Sequence, residues 1–343
     1  MLSEEGEIKK NMKKTNLLAV LTLAATPAFL HAQTTSYSEI VGYQNTDLPS
    51  TGYKGVGISL LNPSLVSGSV SAKSSAVITV SGASTIGSLL QTGQPYYVEV
   101  TSTNSPSGNR FDVDVVATKV SNNGTITLDP NSVRNTASAA STDLVGSTIV
   151  LRKHVTLDQI RASITGTLVG NDDSPTYADA VYVFRGAGFV PYWLGADLQS
   201  WWSNDDPDDH RFDVIAPGQG ILFRKRGSQG TLVSTGVVRN NDFLSVLGVG
   251  YQLNAPGYPK GYTPVQLGGA LNNGWNVNSQ ILVYSGTGFT INTLTSDGTS
   301  VGAWDNGVDP DPVNDVVLVG GDNSFMTKLS SPVVDLETKP FSN

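Results

Sequence analysis

Short stretches of alternating apolar and polar residues, separated by turn-forming residues, run along most of the chain. Residues 111–116 have a period-two alternation that ends at the pair Val115-Val116, and residues 70–80 alternate small polar with apolar side chains. A period of two places successive side chains on opposite faces of a sheet, so each stretch predicts a strand with one exposed face. Asn122-Asn123-Gly124 has the composition of a tight hairpin turn.

One stretch departs from this pattern. Residues 156–160, followed by Ile164, have helical spacing behind a threonine that can cap a helix. Aspartate far outnumbers glutamate beyond residue 32, and aspartate favours turns whereas glutamate favours helices. The sequence therefore predicts an all-β fold of repeated antiparallel β-units, forming sandwich- or barrel-like lobes with one or two short helices.

An internal repeat supports the same architecture. Residues 181–189 and 281–289 share a strand-and-glycine phrase, and Trp201 recurs as Trp304 at the same distance before an Asp-Pro-Asp sequence. Further matches align Phe223 with Phe325 and Val41-Gly42-Tyr43-Gln44 with Val249-Gly250-Tyr251-Gln252. Shared aromatic and glycine positions at a common offset indicate a duplicated β-unit, with copies near 176–248 and 249–340.

The N-terminus has the features of a secretory signal peptide. Met12-Lys13-Lys14 precedes the apolar residues 17–25, Pro27 and a cleavage position after Ala32. We expect residues 1–32 to be removed and Met12 to be the true start. We further predict an N-terminal β lobe at 33–145 and a C-terminal β-repeat lobe at 146–340. We interpret part of the first lobe, around 67–145, as an insertion into an earlier copy of the repeat.

Composition narrows the classes of partner. The formal net charge is −8 and no basic stripe is present, which argues against nucleic acid or an anionic membrane as partner. The chain has no cysteine, so its fold cannot depend on disulfides. No run beyond the signal peptide approaches the roughly 18 apolar residues of a transmembrane helix, so we predict no transmembrane span.

Four motifs in fixed order resemble a known family. The chain contains Arg152-Lys153-His154-x-Thr156-Leu157, then Ala178-Asp179-Ala180-Val181, the pair Tyr192-Trp193, and Pro217-Gly218-Gln219-Gly220. This order resembles a family of uncharacterised exported bacterial β-repeat proteins, over most of the mature chain. The resemblance implies secretion and a repeated β-architecture, and it assigns no catalytic residue. The last copy departs from the pattern, because Leu318-Val319-Gly320-Gly321 replaces the Pro-Gly-Gln-Gly turn.

Two acidic clusters are candidate calcium sites. Hard cations take six to eight oxygen ligands, and aspartate-rich loops of exported proteins supply them. Neither cluster has EF-hand spacing, and solvated turn chemistry, the preferred interpretation, explains both without a metal. The candidate ligands are Asp205, Asp206, Asp208 and Asp209 in the first cluster and Asp305, Asp309 and Asp311 in the second.

Aromatic residues are the second candidate site. Tyr192, Trp193 and Trp202 could form a flat stacking platform for sugar rings if they are exposed. Trp201 and Trp304 recur at matching repeat positions, which predicts that they lie in the core. The basic run Arg224-Lys225-Arg226 is interpreted as a solvated strand end.

No catalytic constellation is recognisable. His210 lies among Asp208, Asp209 and Asp213, but no Gly-x-Ser-x-Gly or His-x-x-x-His sequence accompanies it. We therefore predict that the chain is not an enzyme. The expected function is an exported structural or adhesive protein of the cell surface or extracellular space, with the periplasm as the other location. Its partners would be itself or other surface components. The alternative is a carbohydrate-binding module that binds glycans.

Overall fold

The computed structural model describes residues 39–102, 112–116, 123–130, 132, 143–186, 188–307 and 323–337. The expected signal peptide, with Met12, lies outside the described residues. Strands account for 47% of the chain and helices for 6%, and every sheet is antiparallel, so the all-β prediction is confirmed. No helix among the described residues is long and apolar enough to cross a membrane.

The strands are numbered in chain order. The first half contains β1 Val41–Leu48, β2 Tyr53–Gly57, β3 Leu60–Leu61, β4 Ser64–Ser74, β5 Val77–Val80, β6 Tyr96–Ser102, β7 Asp112–Asp114, β8 Thr125–Thr127, β9 Thr148–Lys153, β10 Val155–Thr156 and β11 Ile164–Thr165. The second half contains β12 Ala180–Arg185, β13 Gly188–Leu194, β14 Trp201–Ser203, β15 Val214–Ile215, β16 Gly220–Arg224, β17 Gly230–Val238, β18 Phe243–Leu247, β19 Gly250–Asn254, β20 Gln280–Tyr284, β21 Phe289–Thr295, β22 Ala303–Asp305, β23 Phe325–Leu329 and β24 Val333–Glu337.

The described part of the chain contains one α-helix, α1, at Leu157–Ala162. Thr156 caps it, since its hydroxyl accepts a hydrogen bond from the backbone N–H of Gln159 at 3.4 Å. Leu157 and Ile160 are buried, as the helical spacing predicts. Short 3₁₀ helices lie at Ile86–Leu89, Pro175–Tyr177 and Leu271–Asn273.

Two five-stranded sheets have the same topology. The first repeat sheet has the order β14-β13-β12-β16-β2, and the second repeat sheet has the order β22-β21-β20-β23-β19. The flanking strands correspond as well, because β1 pairs with β17 and β18 pairs with β24. Two seven-stranded units, the first and second repeat units, thus have the same strand topology, and the first starts at β1.

The strand registers align the two copies residue by residue. Trp201 lies opposite Leu194, and Trp304 lies opposite Leu294, so the two tryptophans are equivalent. Both are fully buried, at 1% and 0% exposure, which confirms their expected place in the core.

The same registers correct two of the sequence matches. Arg224 lies opposite Ala180, and Lys328 lies opposite the equivalent residue of the second sheet, Gln280. Arg224 is therefore equivalent to Lys328, and Phe223 to Thr327. The sequence match of Phe223 with Phe325 was wrong by two residues. Apolar residues alternate on a strand, so a shift of two leaves the pattern unchanged.

The tyrosine of the second match was also placed on the wrong strand. Tyr53 lies opposite Arg224 and Tyr251 opposite Lys328, so Tyr251 corresponds to Tyr53 rather than to Tyr43. The cations lie over these rings, with the Arg224 guanidinium 5.8 Å from one ring centroid and the Lys328 ammonium 5.4 Å from the other.

The two repeat sheets pack face to face. Leu222 of the first sheet clusters with Leu253, Leu282 and Met326 of the second. Aromatic pairs flank this layer at equivalent positions, with edge-to-face ring contacts at 5.2 Å for Phe184–Phe189 and 5.3 Å for Tyr284–Phe289. The outer face of each repeat sheet is buried in a core of its own.

Glycines permit the close approach of the two sheets. A Cβ atom on Gly220 would lie 2.4 Å from the carbonyl oxygen of Asn254, and one on Gly57 would lie 2.8 Å from that of Asn323. The backbone N–H of Ala255 donates to the Gly218 carbonyl at 2.9 Å, beside a bridge between Gln219 and Asn254. The Pro-Gly-Gln-Gly motif is therefore the seam between the sheets.

The first lobe does not end where the sequence placed it. β1 and β2 pair with β17 and β16, so residues 41–57 belong to the first repeat unit. β4–β9 form a six-stranded sheet of order β7-β6-β9-β4-β5-β8, with a separate apolar core. This sheet, the insert sheet, runs to Lys153, past the predicted boundary at 145. Local patterns could not reveal this, because strand pairing joins residues far apart in sequence.

Glu337, on β24, has a fully buried carboxyl group. Its Oε2 accepts the backbone N–H of Gly257 at 2.7 Å. Burial raises the pKa of this carboxyl to about 7, although the Gly257 hydrogen bond and the charge of Arg239 act against that rise. Ionisation of Glu337 at neutral pH therefore opposes folding.

We expect stability to fall as the pH rises from 5 to 8 through this pKa. The folded-state pKa of Glu337 is raised, so its contribution is complete below the unfolded-state value of about 4.5 and is lost above about 7. At 1.36 kcal/mol per pH unit the loss is about 3 kcal/mol. Denaturant unfolding of the wild type and of Glu337→Gln measures it. The glutamine variant should lose most of this pH dependence, and equal slopes for the two proteins would contradict the assignment.

Candidate functional site

A polar cleft lies beside β13 and β14 of the first repeat sheet. β13 contributes Tyr192 and β14 contributes Ser203, and the loop that follows β14 supplies most of the charged residues. The cleft has a volume of about 490 Å³, and its lining is completed by Arg185, Asp205, Asp206, Asp208, Asp209, His210 and Asp213. The four aspartates of the first predicted cluster are therefore brought together.

Several of these carboxylates hold the loop in shape. Asp209 accepts the backbone N–H groups of Trp201 at 3.0 Å and Arg211 at 3.1 Å, and it pairs with the Arg211 side chain. Asp206 accepts the N–H of Asp208 at 2.9 Å. This is turn chemistry, in which a short acidic side chain satisfies nearby backbone donors.

His210, Tyr192, Asp213 and Arg185 form the floor of the cleft. His210 Nδ1 lies 3.2 Å from Asp213 Oδ2, and its ring meets the Tyr192 ring edge to face at 5.3 Å. The Arg185 guanidinium lies 5.5 Å from the Tyr192 ring centroid and 3.8 Å from Asp213. Burial raises the pKa of Tyr192 to about 12, against the charge of Arg185, so this phenol stays neutral at physiological pH.

The cleft has no nucleophile aligned with its histidine. His210 Nε2 lies 3.4 Å from the carbonyl oxygen of Asp206, and the Ser203 hydroxyl accepts the backbone N–H of Asp205 at 3.4 Å. Nucleophilic catalysis needs the hydroxyl within hydrogen-bond reach of the base. The arrangement orients His210 and stabilises the loop, and it supplies no activated hydroxyl.

The second acidic cluster is only partly described. Asp305 lies on β22 and accepts the backbone N–H of Gly307 at 2.7 Å, whereas Asp309 and Asp311 lie outside the described residues. Within the described ranges, no group of three or more His, Asp or Glu side chains is arranged to hold a metal ion. Calcium binding stays a prediction from the sequence.

The proposed aromatic platform is not exposed. Tyr192 and Trp193 are 3% and 4% exposed, and Trp202 is half-buried. Trp193 packs on Ala178 and Ala180, with Trp202 beside it. The exposure on which the platform depends is therefore absent for Tyr192 and Trp193.

Arg224 and Lys225 of the basic run are also buried rather than solvated, and Arg226 is half-buried. Lys225 has an exposure of 0%, and its ammonium donates to Asp179 Oδ2 at 2.7 Å and to the carbonyl oxygens of Thr167 and Arg226. Asp179 in turn accepts the backbone N–H groups of Val169 and Arg226. A buried ion pair persists when its remaining donors and acceptors are satisfied, and this one is.

A second buried network joins the insert sheet to the segment after β17. Arg239 contacts Glu99 at 2.8 Å and Asp112 at 2.9 Å, and Arg152 contacts the other oxygen of Glu99 at 2.8 Å. Two cations and two carboxylates thus balance one another. Sequence reasoning missed Glu99, Asp112 and Arg239 as a group. The only available signal was their charge within otherwise apolar strand patterns.

The motif histidine belongs to the same region. His154 is buried, with Nε2 2.8 Å from Asp114 Oδ1, and its ring lies 4.7 Å from that of Tyr97. Arg152, His154, Asp179 and Gly220 therefore all have structural roles that explain their motifs.

Comparison with protein-family models, curated proteins and solved structures finds no match.

We expect a neutral quencher such as acrylamide to reach little of the native tryptophan fluorescence. Of the five tryptophans, Trp193, Trp201, Trp275 and Trp304 are at most 4% exposed, and Trp202 is half-buried. Trp202→Phe should lower the accessible fraction further, and Trp193→Phe, the matched control, should not. Quenching of the native chain as strong as that of the unfolded chain would contradict the burial described.

Proposed function

We propose that the chain is an exported structural or adhesive protein of the cell surface or the extracellular space. The supporting observation is that the residues forming its recognisable motifs serve its architecture. Arg152 and Asp179 lie in buried charge pairs, Thr156 caps α1, and Gly220 lies at the seam between the repeat sheets. A protein selected to present a rigid surface needs such internal supports more than an open reactive site.

The exterior fits this proposal. The surface loops are rich in small polar and acidic residues, and the chain is acidic overall. Its exposed apolar side chains include Ile40, Val41 and Tyr43, which lie together at the start of the first repeat unit. Contiguous exposed apolar residues favour contact with another macromolecule.

The carbohydrate-binding alternative loses its main support. It depended on an exposed platform of Tyr192, Trp193 and Trp202, and the first two are buried. Of the carboxylates that line the polar cleft beside Tyr192, those of Asp206 and Asp209 are engaged in the loop's own hydrogen bonds. No further observation favours a sugar ligand.

Export and surface location are the first property to test. We expect the chain expressed in its source cell to be cleaved near Ala32 and to be found in the surface or medium fraction, accessible to protease added to intact cells. Leu21→Arg, which places a charge in the apolar segment, should retain uncleaved chain inside the cell. Tyr177→Ser, the matched control, alters an exposed residue outside that segment and should be exported like the wild type. Retention of the unaltered chain in the cytoplasm would contradict the proposal.

A further inference from the structure

β1 ends its sheet, and no described strand pairs with its outer edge. It has eight residues, and it is longer than any other strand that ends a sheet in the described part of the chain. The strands that end the repeat sheets have three or five residues, and those that end the insert sheet have three. Its pairing with β17 runs without a register shift. β1 therefore presents a long regular row of backbone groups, of the kind that another strand can join.

The hydrogen-bond pattern shows which residues face outward. Val238 donates its backbone N–H to the Ile40 carbonyl at 2.7 Å, and the register places these two residues opposite each other. Hydrogen-bonded and non-hydrogen-bonded residue pairs alternate in an antiparallel ladder. Val41, which follows Ile40, and every second residue after it therefore direct their backbone N–H and C=O groups away from β17. These outward residues are Val41, Tyr43, Asn45 and Asp47.

This edge lacks the usual protection. Natural edge strands are blocked by lysine, proline, bulges or short length. β1 contains no Lys, Arg or Pro, and its one charged residue is Asp47. The side chains of the outward residues are exposed, Val41 at 75% and Tyr43 at 65%. The residues of β1 themselves therefore offer an incoming strand neither a proline nor a row of charges.

We propose that β1 pairs antiparallel with β1 of a second copy of this chain, an inference that rests on the proposed surface function. Placing Gln44 opposite Gln44 of the second copy sets Tyr43 against Asn45 and Val41 against Asp47. This register pairs all four outward residues with one another. A register centred on Tyr43 would place Glu39 opposite Asp47, and like charges directly opposite each other are destabilising. A register centred on Asn45 would place Pro49, which has no backbone N–H to donate, opposite Val41.

The edge is self-complementary, which suits a second copy as the occupant. The four outward residues are distributed evenly about Gln44, so the same strand, rotated by a two-fold axis, satisfies every outward donor and acceptor. A two-fold interface of this kind is isologous and closes as a dimer. It joins two sheets into the continuous order β11-β17-β1-β1-β17-β11 and keeps each Asp47 away from its symmetry mate.

Asn45→Pro tests this pairing directly. Its N–H points outward, so proline removes a hydrogen bond to the second copy and none to β17. Light scattering of the mature chain, residues 33–343, should give the mass of a dimer for the wild type and for Asn45→Ala, the matched control that keeps the N–H. Asn45→Pro should give half that mass, with unchanged circular dichroism and melting temperature.

The register is tested by crosslinking, which is simple because the chain has no cysteine. A mixture of Tyr43→Cys and Asn45→Cys chains should form a disulfide-linked dimer several-fold faster than either variant alone. A monomeric wild type at high concentration, a dimeric Asn45→Pro that is folded, or faster crosslinking of a single variant would each overturn the inference. None of these outcomes affects the export test, on which the proposed function itself depends.

Discussion

The contact between the two repeat sheets is the constraint on which the rest of the structure depends. Each sheet has one face in its own core, and the other face would be an exposed apolar surface without its partner sheet. Leu222 of the first sheet packs against Leu253, Leu282 and Met326 of the second, and this contact buries the inner face of each sheet. Gly57 and Gly220 let the two backbones approach each other closely. Each unit therefore supplies the surface that buries the inner face of the other.

Buried charges connect this double unit to the inserted sheet. Arg239 follows β17 of the first repeat unit, yet its guanidinium contacts Glu99 and Asp112 on the insert sheet. Removing one member would leave an uncompensated buried charge, whose cost is about 3–5 kcal/mol. The pairs therefore fix where the insert lies relative to the repeat, because few other positions satisfy every charge. Lys225 and Asp179 act similarly within the first unit.

The sequence predicted the fold class and the burial of Trp201 and Trp304, because alternation and recurring aromatic positions are local signals. It placed Phe223 two residues from its true equivalent, since alternation repeats every two residues. It also left the exposure of Trp193 open and placed Lys225 at a solvated strand end. Their burial depends on segments distant in the chain, such as Asp179 for Lys225, 46 residues away. Of the candidate site, the acidic loop was predicted, whereas Arg185, Ser203 and the contact of His210 with Tyr192 depend on strand pairing that the sequence does not display.

The most direct test of this account is a double-mutant cycle across the sheet contact. Leu222→Ala, Leu253→Ala and the double variant are compared with the wild type by equilibrium denaturation. Because the two leucines lie in one cluster on opposite sheets, we expect a single transition and a coupling free energy of about 0.5–3 kcal/mol. Free energies that add to within about 0.3–0.5 kcal/mol, or separate transitions for the two units, would contradict the packing of the repeat sheets against each other.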